Sequence, residues 1–430
     1  MRILVIGSGG VGDAVARIAV RRTFFERMVV ADYDVARAGR TVAAANARDG
    51  SSGPDGPRFV AAQVDAADSA AVTALAVAHG ATHVLNAVDP RFVLPVFSGA
   101  LAAGADYLDL AMSLSRPHAE RPHELTGVKL GDEQFAADDA WRGAGRLALV
   151  GMGVEPGLSD VFARYAVDHL FSRVDELGTR DGANLEVLGD DGEPIFAPSF
   201  SIWTTIEECL NPPVIWEADR GWYTVAPFTE PELFDFPGGI GPVECVHVEH
   251  EEVLLMPRFL TAQKVTFKYG LGEEFIAVLR TLHTLGLDKT APVRVRSADL
   301  AAPGDVAVSP RDVVAAVLPD PATLGERMRG VTCAGVLVTG LGPDGAPREV
   351  YLHHLVDNAW SMREYGAQCV VWQTAINPVV ALELLATGVW AGNGVLGPEA
   401  FDAVPFLELL AGPEPAGYGS AWGMQERTPR

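Results

Sequence analysis

The sequence is short of three things, and each shortage narrows what the protein can be. Cysteine is scarce: four in 430 residues, at Cys209, Cys245, Cys333 and Cys369. They lie far apart and no C-x-x-C occurs, so neither a zinc site nor a dithiol redox pair is expected. The four read as buried thiols of a reducing compartment. Basic residues are outnumbered, 33 Lys and Arg against 56 Asp and Glu, for a net charge of −23. Nucleic-acid binding needs a basic surface to meet the phosphates, so no nucleic-acid partner is expected. The same acid excess fits a cationic substrate such as a diamine or polyamine, and equally a solvated acidic surface. Long apolar runs are missing too: none approaches the ~18–20 uninterrupted residues of a membrane span. The chain opens on a strand rather than on a basic stretch followed by an apolar core. No secretory leader and no membrane partner are expected, and the reading is a cytoplasmic protein.

What the chain does have begins at its first residues. Met1–Ile6 is an apolar, branched run with the character of a buried strand. A glycine turn follows, made of Gly7, Ser8, Gly9, Gly10, Val11 and Gly12, and the next residues carry helical periodicity through Ala14, Val15, Ile18 and Ala19. Strand, glycine turn and helix together are the context in which G-x-G-x-x-G signals a dinucleotide site. Gly7 permits the turn, Gly9 admits a pyrophosphate close to the backbone, and Gly12 lets helix and strand pack closely. A second strand, Met28–Ala31, ends at Asp32, 20 residues after Gly12, where a carboxylate meets the adenosine ribose hydroxyls. An acid there repels a 2′-phosphate and favours NAD. Arg37 and Arg40 follow closely and keep NADP possible.

The alternation continues through about residue 110, with strands at Phe59–Val64, His83–Val88 and Tyr107–Leu110 and helices at Ala70–His79 and Pro90–Ala103. That pattern predicts an α/β fold with a Rossmann-type doubly wound parallel sheet, whose ligands bind at the carboxyl ends of the strands. Asp65, Asn86 and Ala87 occupy such ends and are candidate cofactor contacts; for Asp65 and Asn86 a helix-capping role is the competing reading. Gly50–Pro57 reads as a surface loop. Arg146–Val150 is a sixth strand, running into a second glycine turn, Gly151–Gly157, and a helix from Leu158 to His169. The character then changes. Val243–His250 and Thr261–Phe267 alternate as strands, and Val331–Leu341 and Glu349–Leu355 pair across the turn at Pro343–Gly345. Near the end, Asn377 caps and Pro378 opens a helix over Val379–Thr387. The resulting plan is a dinucleotide-binding domain over residues 1–170, completed by C-terminal helices within 360–430, and an α+β substrate and dimerisation domain over 171–359.

Several residues are placed to do chemistry. Asp109 ends a sheet strand facing the cleft, as an amine anchor or a base. Glu155 and Asp160 flank the helix start after the second glycine turn, where the helix dipole stabilises an anion and where a cap role is equally served. His250 shares a strand phase with Val246 and Val248, beside Glu251 and Glu252, and histidine is the side chain most readily tuned to neutral pH. Arg180 offers a fork for a substrate carboxylate, and Trp203, Trp216 and Trp222 offer apolar walls or core packing. His247 and His250 point to opposite faces of an extended strand, so no metal site is expected.

Taken together, Gly7–Gly12, Tyr107-Leu-Asp109, Gly153-Val-Glu-Pro-Gly157 leading to Asp160, Phe234-Asp-Phe-Pro-Gly-Gly-Ile-Gly-Pro-Val-Glu244 with His250-Glu-Glu252, and Gly394-Val-Leu-Gly-Pro-Glu399 make the chain resemble the saccharopine dehydrogenase (saccharopine reductase) family along essentially its whole length. Within that family the Asp-Phe-Pro and His-Glu-Glu segments are most similar to the carboxynorspermidine dehydrogenase and lysine 6-dehydrogenase branch. Where the family has Asp-Pro-Gly, this chain has Glu155-Pro-Gly157. The resemblance implies hydride transfer between a nicotinamide and the C–N bond of an amino acid or amine, a two-domain fold and a homodimer. The reaction is secondary-amine oxidation or its reverse, reductive condensation with a carbonyl. Deaminating oxidation of a free amine is the alternative enzyme, and non-catalytic sensing of NAD(P) the alternative of another class.

Overall fold

The computed structural model describes residues 1–50, 52–53, 56–296 and 304–429; residues 51, 54 and 55 of the Gly50–Pro57 segment lie outside them. The first apolar run forms the central strand β1 (Arg2–Ile6), with Ile3, Leu4, Val5 and Ile6 at most 1% exposed. Burial on both faces is what an uninterrupted branched run requires. Around it lie β2 (Arg27–Asp32), β3 (Phe59–Gln63), β4 (His83–Asn86), β5 (Asp106–Asp109) and β6 (Leu147–Leu149), all parallel, in the spatial order β6-β5-β4-β1-β2-β3. Helices α1 (Gly10–Ala19), α2 (Val35–Asp49), α3 (Ser69–His79) and α4 (Val93–Ala102) make the crossovers. The strand order reverses between β1 and β4, so the crevice at their carboxyl ends is the topological switch point.

After α5 (Leu158–His169) the chain enters a second, mostly antiparallel sheet. Its strands are β7 (Arg173–Ala183), β8 (Val214–Glu217), β9 (Gly221–Thr224), β10 (Glu232–Phe236), β11 (Gly241–His247), β12 (Lys264–Gly270), β13 (Val331–Leu341) and β14 (Pro347–Asp357). Three helices border the site: α6 (Ile202–Leu210) after β7, α7 (Glu252–Phe259) between β11 and β12, and α8 (Glu273–Leu285) after β12. Strand β7 lies at the centre, parallel to β12 and antiparallel to β13, and a bulge interrupts the β13 pairing at Thr339/Gly340.

The last seventy residues divide between the two sheets. Helix α9 (Cys369–Ala386) packs on α1; strand β15 (Gly394–Leu396) then pairs with β6 and extends the first sheet, whereas β16 (Trp422–Arg427) pairs with β14 in the second. One sequence expectation changes here. Helix α9 does not begin at Pro378 but passes through it. It is buried nearly all round, and Asn377 donates from Nδ2 to the Gln373 carbonyl at 2.7 Å. Packing on every side holds a helix that propensity alone would break. The same burial answers its composition: α9 is long and apolar enough to cross a membrane, but 78% of that stretch is buried inside the fold. Arg22, just after α1, clasps it through two bonds to Glu383, at 2.5 and 2.8 Å.

Candidate active site

The first glycine turn is built as its sequence requires. Gly7 has φ +100°, and a Cβ there would lie 2.6 Å from the Ala87 carbonyl oxygen. A Cβ on Gly12 would lie 2.0 Å from the Gly7 oxygen, so helix α1 and β1 approach as closely as backbone allows. Gly9 differs: it has ordinary extended angles as the N-cap of α1, and its Cβ direction meets nothing within 4 Å. It faces a cleft of about 300 Å³ that Gly10, Val11, Ala87 and Val88 also line. The first helical bond runs from Asp13 N–H to the Gly9 carbonyl. The N–H groups ahead of it, with the helix dipole, form an anion cradle of the kind a pyrophosphate fills. Asp32 is buried behind this turn. It accepts from the Ser8 N–H and hydroxyl, both at 2.8 Å, from the Asp34 N–H, and from Arg37 at 3.1 Å. Burial opposes its charge, but these donors outweigh burial and hold the carboxyl below its ordinary value.

The second glycine turn closes the other wall. The Gly153 N–H bonds the Pro156 carbonyl at 2.7 Å, and Val154, Glu155 and Pro156 face the same cleft as Gly9 and Gly10. Glu155 reaches across to the second sheet, where its Oε1 accepts from the Gly335 N–H of β13 at 3.1 Å. Its Oε2 meets no donor among the described residues, and the carboxyl of Asp181 on β7 lies close enough to act on it, so that a proton shared between the two acids would join them. Burial first, and then Asp181, raise Glu155 well above the usual carboxylate range. Burial brings Asp181 to about 7, with the bond to Glu155 opposing the rise.

Around this pair the fold gathers more acid and a single base. Glu208 of α6 and Glu251 border the same cleft, and burial pushes Glu208 up to about 8. His250 stacks flat on Phe267, with ring centroids 3.9 Å apart. Its Nδ1 bonds Glu252 Oε2 at 2.5 Å and lies 3.4 Å from Glu251. Burial works against a charged ring, yet Glu252, then Glu251 and Glu208, raise it to about 10, so it is an imidazolium at neutral pH. The strand phase predicted for His250 does not hold. Strand β11 ends at His247, and His250 sits in the turn that starts α7. That turn also brings ligand atoms of His250, Glu251 and Glu252 within 4.8 Å of one another, which the extended-strand argument against a metal cluster missed. Here Glu252 accepts from His250 and from Ser159 Oγ at 3.0 Å, so a proton and a hydroxyl already satisfy it.

Other expected residues lie elsewhere. Asp109 is beneath the cleft rather than in it, accepting from Gln134 Nε2 and Gly151 N–H, both at 2.7 Å, and so tying β5 to the second glycine turn. Burial raises it to about 7. Asp160 is fully buried. It accepts from the Gly157 N–H at 2.7 Å and faces Glu399, a carboxyl pair in which burial raises Asp160 well above, and Glu399 to about 7. Arg180 points to the opposite face of β7 from Asp181 and binds Glu232 there, at 3.1 and 3.3 Å, so it is not available to a substrate in the cleft. Asn86 spends its side chain on the Tyr107 hydroxyl and the Val88 N–H. Asp65 is exposed and caps its own turn through the Ala67 N–H. Trp203 has the guanidinium groups of Arg91 and Arg311 over its ring, and the Trp222 indole donates to the Val253 carbonyl. Asp181, Glu208 and Tyr269 line the cleft without having been singled out in the sequence. Only for Asp181 was a signal present, since it adjoins Arg180 and alternation must send one of the two to each face.

Residues 3–149 match the saccharopine dehydrogenase NADP-binding domain, and residues 153–413 match the saccharopine dehydrogenase C-terminal domain. The chain is 27% identical over 434 residues to carboxynorspermidine synthase of Vibrio cholerae, covering 100% of this chain and 98% of that one. It is 27% identical over 410 residues to carboxyaminopropylagmatine dehydrogenase of Synechocystis, covering 95% of each. Among solved structures, saccharopine dehydrogenase (L-Glu forming) of Saccharomyces cerevisiae superposes with a TM-score of 0.67 at 13% identity, over 99% of this chain and 100% of that one, which shows a shared fold.

Proposed function

This chain belongs to the saccharopine dehydrogenase family and is an oxidoreductase that works on amine C–N groups with a nicotinamide cofactor; from that premise we propose that it reductively condenses a polyamine-type amine with a carbonyl compound, or runs the reverse oxidation. One observation carries the reading. Between the two glycine turns, five carboxyl groups (Glu155, Asp181, Glu208, Glu251 and Glu252) surround one imidazolium, His250. Such a cluster is relieved either by taking up protons or by admitting a cation, and an alkylammonium is a cation with protons to give. The names of the two relatives support a polyamine-type partner.

The roles follow from placement. The amine enters as an ammonium among Glu155, Asp181 and Glu208, and gives one proton to the Glu155–Asp181 pair. The free amine adds to the carbonyl carbon. The pair then returns the proton to the carbinolamine oxygen, which leaves as water, and an iminium remains. A group poised near pH 7 suits both transfers. The carboxylates left behind stabilise the iminium charge in a site shielded from water. The nicotinamide, when bound, supplies the hydride that reduces this carbon. Gly9, Gly10 and Val11 would hold its pyrophosphate, and Asp32 its ribose. His250 holds Glu251 and Glu252 in place as their buried cation rather than exchanging protons itself. NAD is the cofactor proposed, because Asp32 sets an anion where a 2′-phosphate would lie. The enzyme is further proposed to work in the cytoplasm as a homodimer.

The test follows nicotinamide absorbance, with the reduced cofactor for condensation and the oxidised cofactor for the reverse direction, across a matrix of amines (mono-, di- and triamines, lysine) and small aldehydes and keto acids. The expected result is turnover only when amine and carbonyl are both present, with NADH preferred over NADPH and the preference reduced in Asp32→Asn. Turnover of an amine alone with release of ammonia would replace this reading by a deaminating one. No turnover despite tight cofactor binding would replace it by cofactor sensing.

A further inference from the structure

The carboxyls that face the cleft suit an amine, but a carbonyl oxygen needs the opposite. As the amine adds to its carbon that oxygen gains charge, and a hydrogen-bond donor must be aimed at it. Most hydroxyls in the cleft are committed elsewhere. Thr204 Oγ1 donates to Ser201 Oγ at 3.0 Å, Thr205 Oγ1 to the Ser201 carbonyl at 2.9 Å, and Thr374 Oγ1 to the Val370 carbonyl at 2.9 Å. Ser201 Oγ itself caps α6, accepting from the Thr204 N–H. The His250 imidazolium has its Nδ1 on Glu252. Tyr269 differs. It lies on β12 in register with Asp181 of the parallel strand β7, so both side chains leave the same face of the sheet. Lys268, one residue earlier, turns to the other face and binds Glu232 at 2.9 Å, while Phe267, two earlier, carries the His250 ring. The Tyr269 ring meets Phe267 edge-on, with centroids 6.3 Å apart, and its hydroxyl makes no hydrogen bond with a described residue. Burial, and then Asp181, Cys209, Glu208 and Glu155, raise the phenol well above its usual range, so at neutral pH it is an uncharged donor.

We propose that the Tyr269 hydroxyl is the donor that holds the oxygen of the carbonyl substrate beside Asp181 while the amine adds and water leaves; the inference rests on the amine and carbonyl reading of the site. The amine lone pair forms the N–C bond and the carbonyl π pair moves onto oxygen, where Tyr269 meets it with its O–H and keeps that proton. The oxygen takes one proton from the Glu155–Asp181 pair and a second that the nitrogen gives up through the same pair. It leaves as water with the electrons of the C–O bond, and the nitrogen lone pair closes the iminium.

Tyr269→Phe removes the hydroxyl and keeps the ring. Because that hydroxyl has no partner among the described residues, the thermal unfolding midpoint and the NADH affinity of the full-length protein should match wild type. Steady-state kcat for condensation falls ~10²- to 10³-fold, as on removal of one oxyanion donor. The oxidation direction separates this role from a merely structural one. The secondary amine product is mixed with NAD-loaded enzyme in a stopped-flow instrument. Hydride leaves before any oxygen is bonded to the carbon, so the first-turnover rate of NADH formation stays within about twofold of wild type, while the steady-state rate, which needs water to add, falls as kcat does. An unchanged kcat in the variant overturns the proposal and passes the role to the His250 imidazolium. An equal loss in the first turnover and in the steady state overturns it too, because the phenol then only shapes the cleft. If wild type instead turns over an amine alone and releases ammonia, the condensation reading fails, but that iminium is also hydrolysed through a carbinolamine; the same split between first turnover and steady state then upholds Tyr269, and its absence overturns it. A wild type that turns over no amine refutes the reading and the inference together.

Discussion

Replacing Gly9 and Gly12 by alanine, one at a time, separates what the first glycine turn does for the fold from what it does for the cofactor. At Gly9 the backbone is extended at φ −67°, a conformation alanine adopts freely, and the added Cβ meets nothing within 4 Å. Folding stability should stay within ~0.5 kcal/mol of wild type, as for other substitutions that touch nothing. The methyl group nevertheless occupies the space through which a pyrophosphate reaches the N–H groups of α1. Cofactor affinity should fall ~10- to 100-fold, or ~1.4–2.7 kcal/mol. At Gly12 the order reverses. A Cβ would sit 2.0 Å from the Gly7 oxygen, more than an ångström inside contact distance, and that oxygen belongs to the backbone. Relief requires α1 to move away from β1, with a loss of ~3 kcal/mol, at the upper end for overpacking. Thermal unfolding and NADH fluorescence titration on the same three proteins check the pair. Unchanged cofactor affinity in Gly9→Ala would refute the assignment of the cradle, and an unchanged midpoint in Gly12→Ala would refute the packing argument.

Three further outcomes follow from the charges. Asp181→Asn should lower kcat by ~10²- to 10³-fold and remove the pH–rate limb near 7 to which burial brings this carboxyl, while cofactor affinity measured by fluorescence holds. His250→Gln leaves Glu252, 0% exposed, without its cation and should destabilise by ~3 kcal/mol at neutral pH. Because burial and then Glu252 set the His250 pKa, with the acid winning and the value raised to about 10, its contribution is complete below pH 6.5. It fades as pH rises through about 10, so chemical denaturation of wild type and variant should converge there. Glu232 has the opposite sign. Burial opposes its charge, but Arg180 and Lys268 lower it to about 2, so its contribution is present above pH ~4.5 and lost as pH falls through about 2. Glu232→Gln should lose ~3 kcal/mol at pH 7 by leaving Arg180 buried beside an uncharged partner, and its unfolding midpoint should fall less steeply than wild type between pH 5 and 2.

The parts of the fold legible in the sequence were those set by local rules. The turn Gly7–Gly12, the acid ending β2, the strand–helix alternation and the second turn at Gly151–Gly157 each follow from backbone sterics or hydrophobic period, which neighbours in sequence suffice to specify. Of the residues lining the cleft, Gly9, Gly10, Val11, Ala87, Glu155, His250 and Glu251 were singled out in the sequence, Gly9–Val11 and Glu155 because they lie on those turns. His250 was assigned to a strand because Val246 and Val248 alternate with it, but the ladder ends at His247 and α7 begins five residues on. Glu251 and Glu252 are therefore brought round it by a turn, which a period of two cannot show. Asp109 and Asp160 are acids at strand and helix ends, and the sequence cannot say whether such acids face a ligand or a neighbouring loop. Here both face loops. Asp181 and Glu208 meet Glu155 only through pairing and packing over long sequence separations. Pro378 was taken as a helix start because its local penalty was visible and the surrounding burial was not.

The dipeptide Arg180-Asp181 has a consequence for how this protein can change over time. Strand β7 directs Asp181 to the cleft and Arg180 to the far side, where Glu232, itself held by Lys268, receives it. Inserting or deleting one residue between Glu176 and Arg180 would exchange the two, setting a guanidinium into the cleft and a carboxyl against Glu232. Length variation in this lineage should therefore collect outside β7, in segments that leave its parity intact. The exception within β7 is the bulge opposite Thr339/Gly340, where the extra residue Asp175 is absorbed upstream without turning Asp181 around. The odd-and-even order of one strand thus constrains descent as firmly as the identity of any acid in the chamber.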